Sequence, residues 1–376
     1  MLPIKGFYFD RPVVLLQSDD WGRVGVRDKE GFEQLRSAGI ALGEQPYDLY
    51  SLETADDVDR LRRLLCQHRD STGRNPCIGM NFIVANLDFA NMAGREKNLP
   101  LLSLGDGLPQ GWTRPQLLEG YRSGIQDRVF YPALHGTTHF CRSAVEAVEP
   151  GSERDQLIQK LWSAGTPYIH WRMPWIGFEY WNPNRNEDER FLDRALQRDL
   201  IGQAVGAFAK LFSSLPRSAC APGYRANDDT HRAWAQHGIG VAQNGPGSIL
   251  PPHFGPHEML HLSRTVEFEP AVDPKFSVEL SLRQAERAFE CGLPAIVSVH
   301  SINFHSTIRD FRSRTLQCLD EFLTALEAKH SDLLYLHDED LLRMIKTGNC
   351  ETPQGPLQVS IRKKQVLRSS GRPLEA

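Results

Sequence analysis

The chain has 376 residues, of which 40% are hydrophobic and 24% are charged, with a formal net charge of −4. This is the composition of an ordinary globular protein, and it gives no electrostatic reason to expect a nucleic-acid partner. No run approaches the roughly 18 apolar residues of a membrane span, and the first residues lack the apolar stretch of a secretory signal. The seven cysteines include no Cys-x-x-Cys pair, which favours reduced thiols in the cytoplasm over a disulfide framework.

Apolar, β-branched runs alternate with helical patterns along most of the chain. Strands are expected at 12–18, 77–84, 129–134, 217–221, 239–243, 260–268, 294–300 and 333–336. Helices are expected at 56–69, 115–126, 187–212, 228–237, 281–291 and 307–330. This alternation predicts a parallel sheet with helices outside it, and seven or eight such units suggest an α/β fold of the (β/α) barrel type.

The domain organisation is expected to be simple. Residues 1–350 are predicted to form a single barrel domain with a long insertion at about 140–216, and residues 351–376 a polar, basic C-terminal tail. The insertion is rich in aromatic residues, namely Tyr168, His170, Trp171, Trp175, Phe178, Tyr180 and Trp181. Such a segment suits either a wall on which sugars stack or a hydrophobic cover over the barrel mouth.

Two adjacent carboxylates, Asp19 and Asp20, end the first apolar run, and Gly22 then permits a turn. Successive side chains of a strand point to opposite faces, so the two carboxylates are expected to act differently. A second apolar run is followed by His135 and His139, whose spacing lets both imidazoles reach one ion from the same face of a helical turn. Two histidines and one carboxylate, with open positions for water, describe a hydrolytic metal site.

Each of these motifs alone has a less specific interpretation. An isolated Asp-Asp pair is often a turn or a cap, and an isolated His-x-x-x-His is weak evidence for a metal. Both motifs stand at the ends of predicted strands, where barrel enzymes place their chemistry. Together they predict a site for one divalent ion, with zinc the expected one, although other transition ions would fit the ligands.

Four short stretches, taken in chain order, carry a family resemblance. They are Gln17-Ser18-Asp19-Asp20-Trp21-Gly22, His135-Gly136-Thr137-Thr138-His139, Cys220-Ala221-Pro222-Gly223-Tyr224-Arg225 and Ile296-Val297-Ser298-Val299-His300. They resemble the motifs of the polysaccharide deacetylases of carbohydrate esterase family 4, metal-dependent enzymes with a distorted (β/α) barrel of seven or so strands. The resemblance implies that Asp19 is the catalytic base and that Asp20, His135 and His139 hold the ion. His300 is the candidate acid, because an imidazole can be cationic near neutral pH.

The sequence departs from the family pattern at three places. Cys220 stands where the third motif has its arginine, so either Arg225 folds back to replace it or the base is held differently. The aspartate that tunes the last histidine has no obvious copy, and Glu269 or Asp273 could serve instead. Trp21 is inserted before the glycine of the first motif.

Groups near the strand ends are expected to contact the substrate. A backbone N–H near Gly223 or Tyr224 would hold an oxyanion, and Arg225 would clamp a hydroxyl or carboxylate. Asn303 follows His300 on the same rim and is expected to hydrogen-bond the substrate. The full set of expected substrate contacts is Trp21, Trp175, Gly223, Tyr224, Arg225, Glu269 and Asn303.

These residues predict a metal-dependent hydrolase that removes an N-acetyl group from an N-acetylated sugar or glycan. The ion would activate a water, Asp19 would take a proton from it, and His300 would protonate the leaving amine. Two alternatives stay open: hydrolysis of another C–N bond, such as that of a cyclic amide, and a catalytically inactive barrel that binds glycan. The sugar, the polymer length, the metal and the oligomeric state also stay open.

Overall fold

A computed structural model describes residues 4–92, 99–246 and 250–366. The strands in these ranges are β1 (Ile4–Phe9), β2 (Val13–Trp21), β3 (Ile78–Ile83), β4 (Ala85–Leu87), β5 (Leu101–Ser103), β6 (Phe130–Gly136), β7 (Ser218–Cys220), β8 (Val241–Asn244), β9 (His253–Phe254), β10 (Leu260–Ser263), β11 (Val266–Glu267), β12 (Ala295–His300), β13 (Leu334–Tyr335), β14 (Asn349–Thr352), β15 (Gly355–Gln358) and β16 (Ile361–Val366). The helices are α1 (Lys29–Ser37), α2 (Ala55–Leu65), α3 (Leu117–Gln126), α4 (Arg142–Glu146), α5 (Glu153–Ser163), α6 (Arg194–Phe212), α7 (Asp228–Gln236), α8 (Val278–Glu290), α9 (Arg312–Lys329) and α10 (Asp338–Thr347).

The parallel strands form a curled sheet in the order β11, β12, β2, β3, β6, β7, β8 and β10. The two ends of this sheet meet in one stretch of chain, because β10 pairs with β8 and β11, two residues later, pairs with β12. The backbone between them bonds to both sides, with Arg264 N donating to Asn244 O (3.4 Å) and Thr265 N to Ile296 O (3.0 Å). The predicted distorted (β/α) barrel is therefore confirmed. β13, the eighth predicted strand, pairs only with the start of β2.

The helices pack outside the barrel because each has an apolar face. α2 begins at a capping box in which Thr54 Oγ1 accepts from Asp57 N (3.1 Å) and Asp57 Oδ2 accepts from Thr54 N (2.9 Å). Its residues Val58, Leu61 and Leu65 are fully buried in the main core. Burying one such side chain stabilises the fold by about 1.5–3 kcal/mol, so packing fixes the position of the helix.

An antiparallel flank extends the sheet beyond β10, in the order β9, β1 and β16. The predicted domain boundary at residue 350 lies inside β14, which forms a hairpin with β15. β16 then pairs with β1 from Ile4–Val366 to Phe9–Ile361. In the described ranges, no helix is both long enough and apolar enough to cross a membrane.

Candidate active site

The turn at the end of β2 sets the directions of the two adjacent carboxylates. Asp20 has a φ of 77°, a left-handed conformation that costs a non-glycine residue on the order of 1–3 kcal/mol. The turn is held by Tyr50, whose Oη donates to Asp20 O (2.7 Å), and by Glu53, whose Oε1 accepts from Gly22 N (2.9 Å). Asp19 consequently faces the barrel interior, and Asp20 faces the histidines that follow β6.

Asp20, His135 and His139 bring three possible ligand atoms within 4.8 Å of one another. The Nε2 atoms of His139 and His135 lie 3.2 Å and 3.6 Å from Asp20 Oδ1. His135 is the penultimate residue of β6, and the turn after that strand carries His139. The strand end and its turn thus deliver both imidazoles to the same carboxylate oxygen.

The donor set fits a divalent cation. Asp20 Oδ1 and His135 Nε2 are buried and have no hydrogen-bond partner among the described residues, which is rare for buried polar atoms. His135 Nδ1 lies 2.8 Å from Cys220 O, so its N–H is directed there and the Nε2 lone pair is left for an ion. Burial lowers the pKa of His139 well below its ordinary value, so this ring is neutral, as a ligand must be.

A buried carboxylate from the insertion holds the turn between the two histidines. Glu179 Oε1 accepts from Thr137 N (2.9 Å) and Thr138 N (3.2 Å). Gly136 has a φ of 142°, and a Cβ at this position would collide with Glu179 Oε2. Burial raises the pKa of Glu179 to about 7, because its partners are neutral N–H and O–H groups that offset little of the desolvation.

Asp19 is held inside the barrel by four donor groups. Arg264 binds it bidentately, with Nη2 to Oδ1 at 2.6 Å and Nη1 to Oδ2 at 2.7 Å. Asn81 Nδ2 donates to Oδ1 (2.7 Å), and Tyr224 Oη donates to Oδ2 (3.1 Å). Burial alone would raise the pKa of Asp19, but the charge and hydrogen bonds of Arg264, together with the nearby His135 and His300, outweigh burial and hold the pKa below its usual value. The carboxylate is therefore ionised at any pH at which the protein would work.

His300 ends β12 beside Asp19, with its Nε2 3.8 Å from Asp19 Oδ2. Its Nδ1 hydrogen-bonds Glu269 Oε1 at 2.6 Å. Burial disfavours the imidazolium, but the charge and hydrogen bond of Glu269 outweigh burial and raise the pKa of His300 to about 9. Asn303 is fully buried; its Nδ2 donates to Glu269 Oε2 (2.6 Å) and its Oδ1 accepts from Ala271 N (2.8 Å). Asn303 thus orients Glu269 and has no group left for a substrate.

A second buried cation lies next to the candidate metal ligands. Arg23 Nη1 is 3.5 Å from Asp20 Oδ1 and 3.3 Å from the hydroxyl of Tyr168. The guanidinium lies over the ring of Tyr50, 3.8 Å from its centroid. Burial disfavours this charge, but Asp20 and the tyrosines around the guanidinium together outweigh burial and raise the pKa of Arg23. Asp20 would therefore be shared between a metal ion and a permanent positive charge.

Two of the expected substrate contacts, Gly223 and Tyr224, lie at the site. The N–H of Tyr224 donates to Ala221 O (2.8 Å), so it is used by its own turn. Gly223 has a φ of 58°, and a Cβ there would collide with the ring of Phe178. The N–H of Gly223 therefore remains the candidate oxyanion donor.

Two other expected contacts point away from the site. The exposed Arg225 lies over the ring of Trp181 at 4.9 Å, so it does not replace the missing arginine. Trp21 is fully buried: it stacks on Phe304 with 5.7 Å between centroids and donates from Nε1 to Ser18 Oγ (2.9 Å). The register of β2 against β3 shifts between Ser18 and Trp21, which places the indole in the core, where no substrate reaches it.

The aromatic insertion is only partly turned toward the site. The ring of His170 lies 6.0 Å from that of His139. Trp171, the next residue, is 63% exposed. Trp175, which was expected to contact the substrate, lies instead against Arg154 at 4.9 Å and the apolar cluster beneath the insertion. The insertion therefore acts mainly as a packed cover, with one exposed indole on the residue after His170.

A second group of possible ligands, Asp19, His135 and Cys220, also lies within 4.8 Å. It suits a metal less well, because both oxygens of Asp19 already accept hydrogen bonds from the four donors above. Burial raises the pKa of the Cys220 thiol well above its ordinary value, so the sulfur is protonated. The group around Asp20 is the better metal site.

Comparison with known proteins supports the fold. No protein-family model matches the sequence, and no curated protein matches it either. A structure from Parabacteroides distasonis, described as a glycoside hydrolase/deacetylase, is 11% identical over 91% of this chain and 72% of that chain, with a TM-score of 0.50. A probable polysaccharide deacetylase of Pseudomonas aeruginosa PAO1 is 13% identical over 90% and 92%, with a TM-score of 0.47. An allantoinase is 10% identical over 90% and 91%, with a TM-score of 0.45.

The chain shares its fold with the Parabacteroides distasonis structure described as a glycoside hydrolase/deacetylase. The resemblance indicated by the sequence motifs is confirmed at the level of the fold, since an identity this low speaks for the fold alone. Chemistry has to be argued from the site itself.

Several residues at the site carry no motif of their own. Arg264 is the one arginine or lysine inside the predicted strand run 260–268, where a buried cation requires a buried partner. Arg23 directly follows the first motif. Glu53 and Glu179 lie in loops far from it, and no pattern in the sequence places them beside the turns they hold.

Proposed function

We propose that this protein is a divalent-metal-dependent hydrolase of an acyl C–N bond, and more specifically an N-deacetylase of N-acetylated sugars. The observation that carries the proposal is the Asp20, His135 and His139 group, in which Asp20 Oδ1 and His135 Nε2 have no hydrogen-bond partner among the described residues, beside an ionised carboxylate and an imidazole with a raised pKa. Asp20, His135 and His139 would hold the ion, and zinc suits two nitrogens and one carboxylate. When bound, such an ion polarises an acyl carbonyl and acidifies water, which is its whole contribution here.

The protonation states of the two catalytic candidates match their proposed roles near neutral pH. Asp19 is ionised, so its Oδ2 can accept a proton from an attacking water. His300, with a pKa of about 9, carries a proton on Nε2 that it can give to the leaving amine. Glu269 Oε1 holds the Nδ1–H and stabilises the imidazolium before the transfer. The N–H of Gly223 would stabilise the negative charge that forms on the acyl oxygen.

The exposed indole of Trp171 supports a carbohydrate as the leaving part of the substrate. It is 63% exposed and follows His170, whose ring lies 6.0 Å from a proposed metal ligand, His139. An exposed flat apolar ring at the edge of a polar site is suited to stack on a sugar face.

The seven cysteines, all within the described ranges, are free thiols, which is consistent with a reducing compartment such as the cytoplasm.

The test is hydrolysis by zinc-loaded protein, with acetate release from N-acetylated sugars and ring opening of cyclic amides measured in parallel. Deacetylation of the sugars supports the proposal, and activity on the cyclic amides alone replaces the substrate class. His135→Ala protein treated in the same way controls for unbound metal. Binding of zinc and glycan without turnover of either substrate class would refute the proposal and indicate a glycan-binding barrel.

A further inference from the structure

A column of buried polar side chains runs inside the barrel from α10 to Asp19. Its lower end is Asp338, the first residue of α10, which is 2% exposed. Asp338 Oδ2 accepts from Ser218 Oγ and from Gln243 Nε2 (2.7 Å), and Oδ1 accepts from Gln17 Nε2 (2.7 Å). Ser218 begins β7, so this carboxylate lies toward the N-terminal ends of the strands, away from the metal ligands. The site as described so far does not use it.

The carboxylate of Asp338 dictates which way the two amides face. A carboxylate only accepts hydrogen bonds, so each glutamine must turn its NH₂ group toward Asp338 and its oxygen away from it. Both oxygens then face Arg264: Nε of Arg264 donates to Gln17 Oε1 (3.3 Å) and Nη2 donates to Gln243 Oε1 (3.3 Å). The guanidinium is thereby held from the side opposite to Asp19.

The far side of Arg264 is the bidentate pair with Asp19. The same Nη2 that contacts Gln243 is 2.6 Å from Asp19 Oδ1. Asn81 links the two as well, because its Nδ2 donates both to Gln243 Oε1 and to Asp19 Oδ1 (2.7 Å each). Hydrogen bonds are thus continuous from Asp338 through two amides and a guanidinium to the proposed base.

We propose that Asp338 is a positioning residue, which fixes Arg264 through Gln17 and Gln243 and so fixes the Asp19 carboxylate for proton transfer. The inference rests on the proposed function as far as catalysis is concerned. A fixed carboxylate matters because small displacements of a catalytic group cost large factors in rate. Its own negative charge is offset by the N-terminus of α10, where the helix dipole favours an anion.

Asp338→Asn reverses one contact while keeping the shape of the side chain. The new oxygen will face the two donors Ser218 and Gln243, which leaves its NH₂ group against the NH₂ group of Gln17. Gln17 must then flip and turn its own NH₂ group toward Arg264, where two donors face each other. We expect kcat to fall about tenfold with KM within twofold, since substrate contacts are untouched.

The decisive experiment is a double-mutant cycle on zinc-loaded protein with Asp338→Asn, Arg264→Lys and the double variant. Lysine keeps the buried charge but cannot bind Asp19 bidentately. If Asp338 acts through Arg264, Asp338→Asn lowers kcat about tenfold beside arginine and less than twofold beside lysine. Equal losses in both backgrounds, or no loss in either, would overturn the proposal.

Melting temperatures of the same four proteins separate this inference from the proposed function. If the wild type hydrolyses nothing, the proposed function has failed, and the melting temperatures still decide whether Asp338 and Arg264 act together. Losses that fall short of additivity support the positioning, whereas additive losses refute it. Asp340→Asn is the matched control on the same helix: it weakens a half-buried ion pair with Arg74, so it should lower the melting temperature and leave kcat within twofold. Zinc affinity should be unchanged in Asp338→Asn, which would show that the barrel is intact, because a disordered barrel would bind zinc more weakly.

Discussion

Replacing Glu269 with Gln should move the titration of His300 to lower pH. Glu269 supplies the largest effect that raises the pKa of His300 to about 9, and its oxygen lies 2.6 Å from Nδ1. Raising a pKa from the ordinary 6.5 to about 9 corresponds to roughly 3 kcal/mol in favour of the imidazolium. Without this charge, burial and Asp19 act in opposite directions, so the pKa should return to about 6.5 or below.

The effect on rate follows from the fraction of protonated His300. At about pH 8, a group with a pKa near 9 is roughly 90% protonated, while one with a pKa near 6.5 is only about 3% protonated. If His300 is the acid, the variant should be about 30-fold slower than the wild type at pH 8 and similar to it at about pH 5.5. The alkaline limb of the kcat/KM profile should therefore move down by about 2.5 pH units.

Two measurements check this reasoning. The NMR titration of ¹³C-labelled histidine in metal-free protein gives the pKa of His300 under the protein's own charges alone, and the pH–rate profile of zinc-loaded protein gives its catalytic consequence. Asp273→Asn is the control, because its carboxylate caps Lys275 N (2.8 Å) instead of holding the imidazole. An unchanged His300 titration in Glu269→Gln would refute the electrostatic argument, and an unchanged alkaline limb would remove His300 from the role of acid.

Four further outcomes are expected. His135→Ala should lose the approximately one zinc ion per chain that elemental analysis finds in the wild type. Asp19→Asn should keep that ion and lose about 10²–10⁴-fold in turnover, and a near-normal rate would exclude Asp19 as base. Because the raised pKa of Glu179, about 7, favours its neutral form in the folded state, its stabilising effect is lost as pH rises through 7. Between pH 4.5 and 8, the free energy of unfolding measured in urea should therefore fall by about 3 kcal/mol more for the wild type than for Glu179→Gln. Trp171→Ala should raise KM for acetylated oligosaccharides more than for the monosaccharide, whereas Trp175→Ala, whose ring packs under Arg154, should raise neither.

The barrel could be predicted from the sequence because its strands are short apolar runs separated by helical patterns. The predicted run 260–268 covers both β10 and β11, and the run 12–18 begins one residue before β2 and covers most of it. Helices that pack on the barrel were predicted to within a few residues, as at α3 and α9. The helices α1, α4, α5 and α10 are absent from the predicted elements. The first three contribute to the apolar cluster beneath the insertion, where tertiary packing, rather than a long apolar period, fixes them.

The candidate metal ligands could be placed because each motif is local. Asp20 and His135 are the penultimate residues of β2 and β6, His139 lies in the turn after β6, and parallel strand ends meet at one edge of the barrel. The position of Arg225 depends instead on the backbone dihedrals of the turn at Gly223. The position of Trp21 depends on a shift in the register of β2 against β3. Such features arise from tertiary contacts, here those of Tyr50 and Glu53 with the turn after Asp19, and they leave no periodicity in the sequence.

The strand that closes the barrel also explains how the site keeps both catalytic candidates in place without the family's arginine. The run 260–268 leaves β8 and joins β12 at Arg264, which therefore sits where the two ends of the sheet meet and points at Asp19 from within the barrel. Five residues after Arg264, directly past the end of this run, Glu269 hydrogen-bonds His300. Proposed base and proposed acid are thus oriented by one short segment, so a change in the pairing of this segment would displace both together.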